Sequence, residues 1–99
     1  ELIHIEDLGF FEAGHGHLAT ADGLTGLHGS MPINTSGGLK CKGHPVGATG
    51  AAQLVEVWQQ LRQQAKDRQV PGNDLSIGLA HNLGGTGGTS SVTILRRGA

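Results

Sequence analysis

The sequence predicts an α/β fold segment in which one long helix and two short strands pack against structure outside the chain. Apolar residues between positions 48 and 65 recur at the spacing of one helical face. Further on, apolar and small residues alternate at positions 75–80 and 92–95, which is typical of short strands. Only 15% of the 99 residues are charged, against about 25% in ordinary soluble domains. Because a small domain exposes much of its surface, this low charge indicates that other protein covers part of it.

The first 35 residues contain one predicted helix and little other regular structure. Apolar positions between Leu2 and Phe11 fit the tail of an amphipathic helix that ends near Gly9. Residues 13–30 are rich in Gly, His, Ala, Thr and Asp, so we expect a surface loop or a run of turns there. Residues 31–35 are expected to form a short extended segment that leads into a glycine turn.

The long helix is predicted from about Gly47 to Ala65 or Lys66. Lys66 and Arg68 would then lie in its last turn, where the helix dipole favours positive charge. The segment 70–73, Val-Pro-Gly-Asn, is expected to break the helix. Trp58 lies on the apolar stripe of this helix and is expected in the core.

Two short strands follow, one around Ile77 and one around Ile94, with residues 81–88 predicted as the glycine-rich connection between them. One helix and two strands make a poor independent core. We therefore interpret residues 1–99 as a fragment of a larger domain.

Composition excludes several classes of protein. The net charge of −1 and the absence of a basic run argue against nucleic acid or an anionic membrane as the main partner. No apolar run approaches the ~20 residues that a membrane span needs. Cys41 is the single cysteine and cannot form an intrachain disulfide, so we expect a cytoplasmic location. The sequence shows no signal peptide and begins with Glu1, which suggests a processing or expression boundary.

The sharpest local motif is Gly-His-Pro at positions 43–45, directly before the predicted helix. Pro45 restricts the backbone of His44 toward extended geometry, and a helix N-terminus disfavours a protonated imidazole. A neutral His44 in this position suits a general base or a hydrogen-bond donor to a developing oxyanion. The alternative is that His44 is only a capping or turn residue.

A second motif is the run from His81 to Gly88, in which glycines follow Asn82. Backbone N–H groups of such a turn can bind an anion or stabilise an oxyanion. The alternative is an ordinary connection that needs glycine for positive φ. Neither glycine segment matches the dinucleotide-binding fingerprint or the phosphate-binding loop of nucleoside triphosphatases.

Taken together, these segments resemble the C-terminal active-site region of thiolases. The resemblance is carried by residues 34–50 (NTSGGLKCKGHPVGATG), by EDLGF at 6–10 and by HNLGGTG at 81–87. It is closest to the group that includes sterol-carrier-protein-2-type and archaeal acetyl-CoA acetyltransferases. The resemblance implies a dimeric or tetrameric α/β thiolase fold of two similar halves, with this chain as the last part of the second half.

The resemblance also implies roles for individual residues. His44 matches the histidine that activates a nucleophilic cysteine and helps form an oxyanion hole. Asn82, or His81 under a one-residue shift, falls where ordinary thiolases have an acid/base cysteine, and we favour Asn82. Gly84 then matches the glycine whose amide lines a second oxyanion hole. The turn at positions 36–38 is expected to bind substrate through Ser36, Gly37 and Gly38.

The replacement of that second cysteine puts ordinary thiolase chemistry in doubt and fits the sterol-carrier-like group. The resemblance implies an acyltransferase that makes or breaks carbon–carbon bonds through an acyl-cysteine. A coenzyme A thioester is its substrate and no further cofactor is expected. Alternatives are a non-catalytic carrier or scaffold subunit for lipids or acyl-CoA, and a thiolase-fold aldolase acting on acyl-CoA side chains.

The nucleophilic cysteine would lie outside this chain, and Cys41 is expected to be a buried, inert thiol. The expected partners are acyl-CoA, the remainder of the subunit and further copies in a homo-oligomer, with a second small subunit as an additional candidate. No spacing around His15 and His17 matches a zinc site, so no metal is expected.

Overall fold

A computed structural model describes residues 1–72 and 74–98 of the chain. Residues Glu1–Thr35 form one compact unit and Ser36–Ala99 form a second. In chain order, the elements are the helices α1 (Leu2–Asp7), α2 (Gly16–Ala21), α3 (Gly38–Lys42) and α4 (Thr49–Leu61), a 3₁₀ turn (Lys66–Arg68), and the strands β1 (Ile77–Gly84) and β2 (Thr89–Arg96). The helices and the two-stranded antiparallel sheet confirm the predicted α/β class. None of the helices in these ranges is long and apolar enough to cross a membrane.

The first unit holds two short helices that pack against each other. α1 agrees with the prediction, but α2 lies inside residues 13–30, so the prediction of a loop throughout that stretch was wrong. Ile5 and Ala19 are the buried apolar residues of the two helices. A Cβ atom on Gly16 would lie 2.8 Å from the carbonyl oxygen of Leu2, so a residue without a side chain is needed where α2 begins.

Glu6 ties the start of α2 to α1. Its Oε1 accepts a hydrogen bond from the backbone N–H of Gly14 (2.7 Å), and its Oε2 accepts one from Gly16 (2.9 Å). These two backbone donors lower the pKa of Glu6 below its ordinary value. They favour the carboxylate form, so the contact strengthens the fold only while Glu6 is ionised.

We expect acid to release the loop that Glu6 holds. Because the folded pKa is lowered, the stabilisation is present above the pKa of the unfolded chain and is lost as pH falls through the folded pKa. Relative to intrinsic exchange rates, the amides of Gly14 and Gly16 should lose protection as the pH falls below the ordinary pKa of a glutamate. Glu6→Gln should show this loss at neutral pH, whereas Glu12→Gln should not. Unchanged hydrogen exchange at Gly14 and Gly16 in Glu6→Gln would contradict this role.

The extended segment expected at residues 31–35 is not a strand, although all five residues are described. Met31 N–H donates to the carbonyl of Leu24, and Ile33 N–H donates to that of Thr25, each at 3.0 Å. These two isolated bonds hold the segment against its own preceding loop without forming a ladder. The segment is thus not a strand, and Asn34, with a φ of +50°, departs from extended backbone.

In the second unit, the Ser-Gly-Gly turn opens a short helix that the sequence did not predict. Gly37 and Gly38 have φ angles of +89° and +65°, which suit glycine far better than other residues. A Cβ atom on Gly37 would overlap the Sγ atom of Cys41, one turn further along α3. The turn therefore depends on glycine for both its backbone and its packing.

The long helix α4 is confirmed but is shorter than predicted. It ends at Leu61, and Gln63 adopts a left-handed φ of +60°. Lys66 and Arg68 therefore lie in the separate 3₁₀ turn and not in the last turn of the helix. The predicted break at 70–73 comes after the helix has already ended, and Asn73 lies outside the described residues.

A polar network explains why the chain turns back after α4. The Arg68 guanidinium lies 3.1 Å from Oε2 of Glu56, and Gln60 donates to the carbonyl of Arg68 and accepts from the N–H of Val70. Burial raises the pKa of Glu56, but hydrogen bonds from Arg68 and Gln60, together with the positive charges of Arg68 and Lys42, outweigh it, so the net pKa is lowered. The network fixes the loop onto the helix through its side-chain contacts.

The sheet is one antiparallel hairpin whose register pairs Ile77 with Arg96 and Gly84 with Thr89. Residues 81–84 belong to β1, so the prediction that 81–88 form the connection was wrong for its first half. The turn itself occupies residues 85–88, where Gly85 and Gly87 have positive φ. His81 and Asn82 are not strong strand formers, but partners on β2 hold them in the ladder.

The two faces of the hairpin differ in their surroundings. A Cβ atom on Gly78 would overlap Cγ1 of Val57, so the face that carries Gly78 lies directly on α4. The opposite face is largely exposed: Ile77 and Ile94 are both 63% accessible. Side chains alternate between faces along a strand, so Asn82 shares the α4 face with Gly78.

Trp58 is half exposed, at 51%, and Arg62 lies over its ring at 5.2 Å from the centroid. The prediction that Trp58 lies in the core is therefore wrong for this structure. Its neighbour on the same helix, Val55, is also exposed. The sheet covers one face of α4, and these two residues lie outside that contact.

Candidate functional site

His44 lies in a tight turn just before α4. Gly43 has a φ of +81°, and the carbonyl of Pro45 accepts hydrogen bonds from the N–H groups of Ala48 (2.7 Å) and Thr49 (3.0 Å). Thr49 is the first residue of α4, and its Oγ1 lies 2.7 Å from Nδ1 of His44. The turn therefore holds the imidazole by one nitrogen, against the start of the long helix.

The two partners in this hydrogen bond differ in exposure. Thr49 is only 5% accessible, whereas His44 is an exposed residue. Among the described residues, the Nε2 atom of His44 has no hydrogen-bond partner. The ring is thus anchored at Nδ1 and open at Nε2.

A cavity of about 140 Å³ lies between the start of α4 and the hairpin. Its lining is mostly polar or small: Gly50, Gln53, Leu54, Ala80, Asn82, Ser91 and Thr93. A Cβ atom on Gly50 would lie 3.3 Å from Nδ2 of Asn82. The structure therefore brings Asn82 to the helix turn that follows Thr49, the partner of His44.

His81, the other candidate for the position of the missing cysteine, has a different environment. Its Nε2 lies 2.9 Å from Oγ of Ser90 on β2. Its carbonyl accepts a hydrogen bond from Nε2 of Gln53 at 3.2 Å. The side chain of His81 lies on the face of the hairpin opposite to Asn82, while its backbone helps to dock α4.

Gly84 is the last paired residue of β1, opposite Thr89. A Cβ atom on Gly84 would lie 3.5 Å from Cβ of Thr89, an ordinary contact distance, so packing alone does not require glycine there. Gly84 follows Asn82 on the same face of the strand.

The structure does not bring Ser36, Gly37 and Gly38 to this cavity, since none of the three is among its lining residues. Within the described residues, no other helix or strand approaches the backbone of α3. An ion pair links α3 to α4, with Nζ of Lys42 3.5 Å from Oε2 of Glu56.

Cys41 is an exposed free thiol, so the prediction of a buried thiol was wrong for this structure. The cause is the position of α3, whose backbone lies close to that of no other described helix or strand. The side chain of Cys41 lies against Gly37 within its own helix.

The first unit contains a larger, open groove of about 480 Å³, lined by Phe10, Phe11, Glu12, His15, Leu18, Ala19, Asp22 and Leu24. It contains none of the predicted site residues. Nδ1 of His15 lies 3.1 Å from Oε2 of Glu12, both on exposed side chains. Across residues 1–72 and 74–98, no group of three or more His, Cys, Asp or Glu side chains could hold a metal ion.

Sequence reasoning missed the residues that connect the motifs: Thr49, Gln53, Ser91 and Thr93. Thr49 was detectable, because it stands five residues after His44 at the predicted start of a helix. Gln53 lies on α4, and its contact with the backbone of His81 depends on how α4 lies on the sheet. No local pattern marks Ser91 or Thr93.

Comparison with known families identifies the chain. The sequence profile described as "Thiolase C-terminal domain-like" matches residues 1–97. The chain belongs to the thiolase C-terminal domain family.

Individual relatives fall into two groups. The thiolase segment is 54% identical to an acetyl-CoA acetyltransferase of Methanothermobacter thermautotrophicus, over 97% of this chain and 24% of the relative. It is 47% identical to sterol carrier protein 2 of Rattus norvegicus, over 99% of this chain and 17% of that protein. It is 42% identical to an acetyl-CoA acetyltransferase of Methanocaldococcus jannaschii, over 95% of this chain and 25% of the relative.

The thiolase segment thus spans about a quarter or less of the curated relatives that it matches. The family assignment confirms the resemblance drawn from the Gly-His-Pro and HNLGGTG segments.

Proposed function

We propose that the chain is the C-terminal part of a thiolase-like acyl-CoA acyltransferase of the acetyl-CoA acetyltransferase type. It would make or break carbon–carbon bonds through an acyl-cysteine intermediate. The observation that carries the proposal is His44, anchored at Nδ1 and open at Nε2, on the turn that leads into α4 beside Asn82. The 54% identity to an archaeal acetyl-CoA acetyltransferase supports the same assignment.

His44 is the proposed general base. Its open Nε2 accepts the proton of the nucleophilic cysteine thiol, and the resulting thiolate attacks the carbonyl carbon of an acyl-CoA. Collapse of the tetrahedral intermediate expels the coenzyme A thiolate and leaves an acyl-cysteine. That cysteine belongs to a part of the longer protein outside this chain.

Two further residues are proposed to act on the charge that develops during the reaction. The backbone N–H of Gly84 donates to an oxyanion, a role that needs a fixed donor but no side chain. The carboxamide of Asn82 orients a water molecule or a thioester oxygen, since it supplies both a donor and an acceptor. Its place beside the first turn of α4 supports this role.

The remaining assignments concern substrate and assembly. A coenzyme A thioester is the proposed substrate, with no additional cofactor, and Ser36, Gly37 and Gly38 are proposed to contact it. The proposed partners are the remainder of the thiolase subunit and further copies in a homo-oligomer. A second small subunit is an additional candidate.

A second candidate function is a carrier or scaffold for acyl-CoA or lipid. Asn82 in place of an acid/base cysteine favours it, as does the 47% identity to sterol carrier protein 2 of Rattus norvegicus. Under this alternative, the thiolase fold binds an acyl-CoA without forming a covalent intermediate.

Single-turnover labelling of the full-length protein distinguishes the acyltransferase from the carrier or scaffold. With an acyl-CoA radiolabelled in its acyl group, an acyltransferase should retain label through denaturation and release it with hydroxylamine, as expected of a thioester. Label that is bound in the native protein but lost completely on denaturation would support the carrier function and reject the transferase.

A further inference from the structure

The hydroxyl of Thr49 takes part in two hydrogen bonds. Its Oγ1 lies 2.7 Å from Nδ1 of His44 and 3.2 Å from the carbonyl oxygen of Pro45. A carbonyl oxygen can only accept, so the hydroxyl must donate to Pro45. The hydroxyl has a single proton, so it can only accept at its contact with His44.

This arrangement favours a proton on Nδ1 of His44. If the hydroxyl accepts, Nδ1 of His44 must donate, and a neutral imidazole then has an unprotonated Nε2. In the other tautomer, Nδ1 has no proton, and the hydroxyl could serve only one of its two partners. The Pro45 carbonyl would keep the bonds from the N–H groups of Ala48 and Thr49, but the hydroxyl would make only one of its two contacts a hydrogen bond. The Nδ1-protonated tautomer therefore makes one hydrogen bond more and is favoured.

We propose that Thr49 is a positioning residue that holds His44 in the Nδ1-protonated tautomer, with Nε2 ready to accept a proton. The assignment rests on the proposed function for its consequence in catalysis, but not for the tautomer itself. Thr49 touches no reacting atom and acts only through His44. Two consecutive hydrogen bonds thus connect the carbonyl of Pro45, the hydroxyl of Thr49 and Nδ1 of His44.

The test compares three variants of the full-length protein. Thr49→Val keeps the branched shape of the side chain and removes the hydroxyl, whereas Thr49→Ser keeps the hydroxyl. Thr20→Val is the matched control, because Oγ1 of Thr20 donates to the carbonyl of Gly16 four residues earlier, as Thr49 does to Pro45. Among the described residues, the hydroxyl of Thr20 makes no hydrogen bond to a histidine.

The primary readout is the tautomer, observed in ¹⁵N spectra of histidine-labelled protein, with the His44 signals identified by their loss in His44→Asn. We expect Nδ1–H in the unmodified protein, in Thr49→Ser and in Thr20→Val, and a shift toward Nε2–H in Thr49→Val. An Nε2–H tautomer in the unmodified protein, or an unchanged tautomer in Thr49→Val, would overturn the proposal.

The second readout is the single-turnover acylation rate. Thr49→Val should lower it roughly tenfold, the scale of one hydrogen bond, and Thr49→Ser should restore most of it. If the unmodified protein forms no acyl-enzyme, the proposed function fails, while the ¹⁵N spectra still decide the role of Thr49. A change of tautomer without a change in rate would reject the positioning role in catalysis.

Discussion

Replacing His44 with alanine in the full-length protein is expected to slow acylation of the nucleophilic cysteine by roughly 10²–10⁴-fold, the usual scale of a positioned general base. The reason is geometric: the ring is tied at Nδ1 to Thr49 at the start of α4, and its Nε2 is open. The measurement is the rate of single-turnover labelling by an acyl-CoA.

His15→Ala is the matched control for this experiment. His15 belongs to the first unit, where its ring contacts Glu12 on the surface, and no role in the reaction is proposed for it. Its variant should keep nearly the full rate. Both variants need a folding check, since His44 also contributes to the turn before α4. Equal rates in two well-folded variants would remove His44 from the mechanism.

The isolated 99-residue chain is expected to show no thiolysis of acetoacetyl-CoA above a heat-treated control. The proposed reaction needs a nucleophilic cysteine from elsewhere in the protein, and Cys41 is the single cysteine here. Cys41 lies on α3, outside the cavity that contains Asn82, so we assign it no chemical role.

Cys41→Ser in the full-length protein tests whether Cys41 takes part in the reaction. If Cys41 takes no part, the variant should retain the acyl-labelling rate of the unmodified protein. Thiolysis by the isolated chain, or loss of acyl labelling in Cys41→Ser, would instead make the exposed thiol of α3 the nucleophile.

The elements that could be predicted from sequence are those with strong periodicity. The apolar stripe between positions 48 and 65 predicted α4, and alternation around Ile77 and Ile94 predicted both strands. α2 was missed because its sequence, GHLATA, has little apolar periodicity, and Glu6 and Gly16 stabilise it through contacts distant in sequence. The early end of α4 depends on the left-handed backbone at Gln63, which a glutamine side chain does not signal.

The site residues also differed in how far the sequence predicted them. Pro45 and the flanking glycines marked His44 as a candidate, and the resemblance to thiolases suggested Asn82. The contact of Asn82 with the start of α4 depends on how the helix lies on the sheet, which no local pattern encodes. Thr49 was missed for a different reason, since its hydroxyl matters only once the turn has folded back on His44.

The close approach of α4 to the hairpin depends on glycine at two separated points. Near its N-terminal end, the glycine is on the helix, where Gly50 faces Asn82; further along, it is on the strand, where Gly78 faces Val57. Positions 50 and 57 are seven residues apart along α4, or about 10 Å of helix, so the two contacts hold the helix at two separate points. A methyl group added at Gly78 would push Val57 away from β1 and tilt α4 about its contact between Gly50 and Asn82. A substitution far from His44 would thereby change the aim of the turn that carries it.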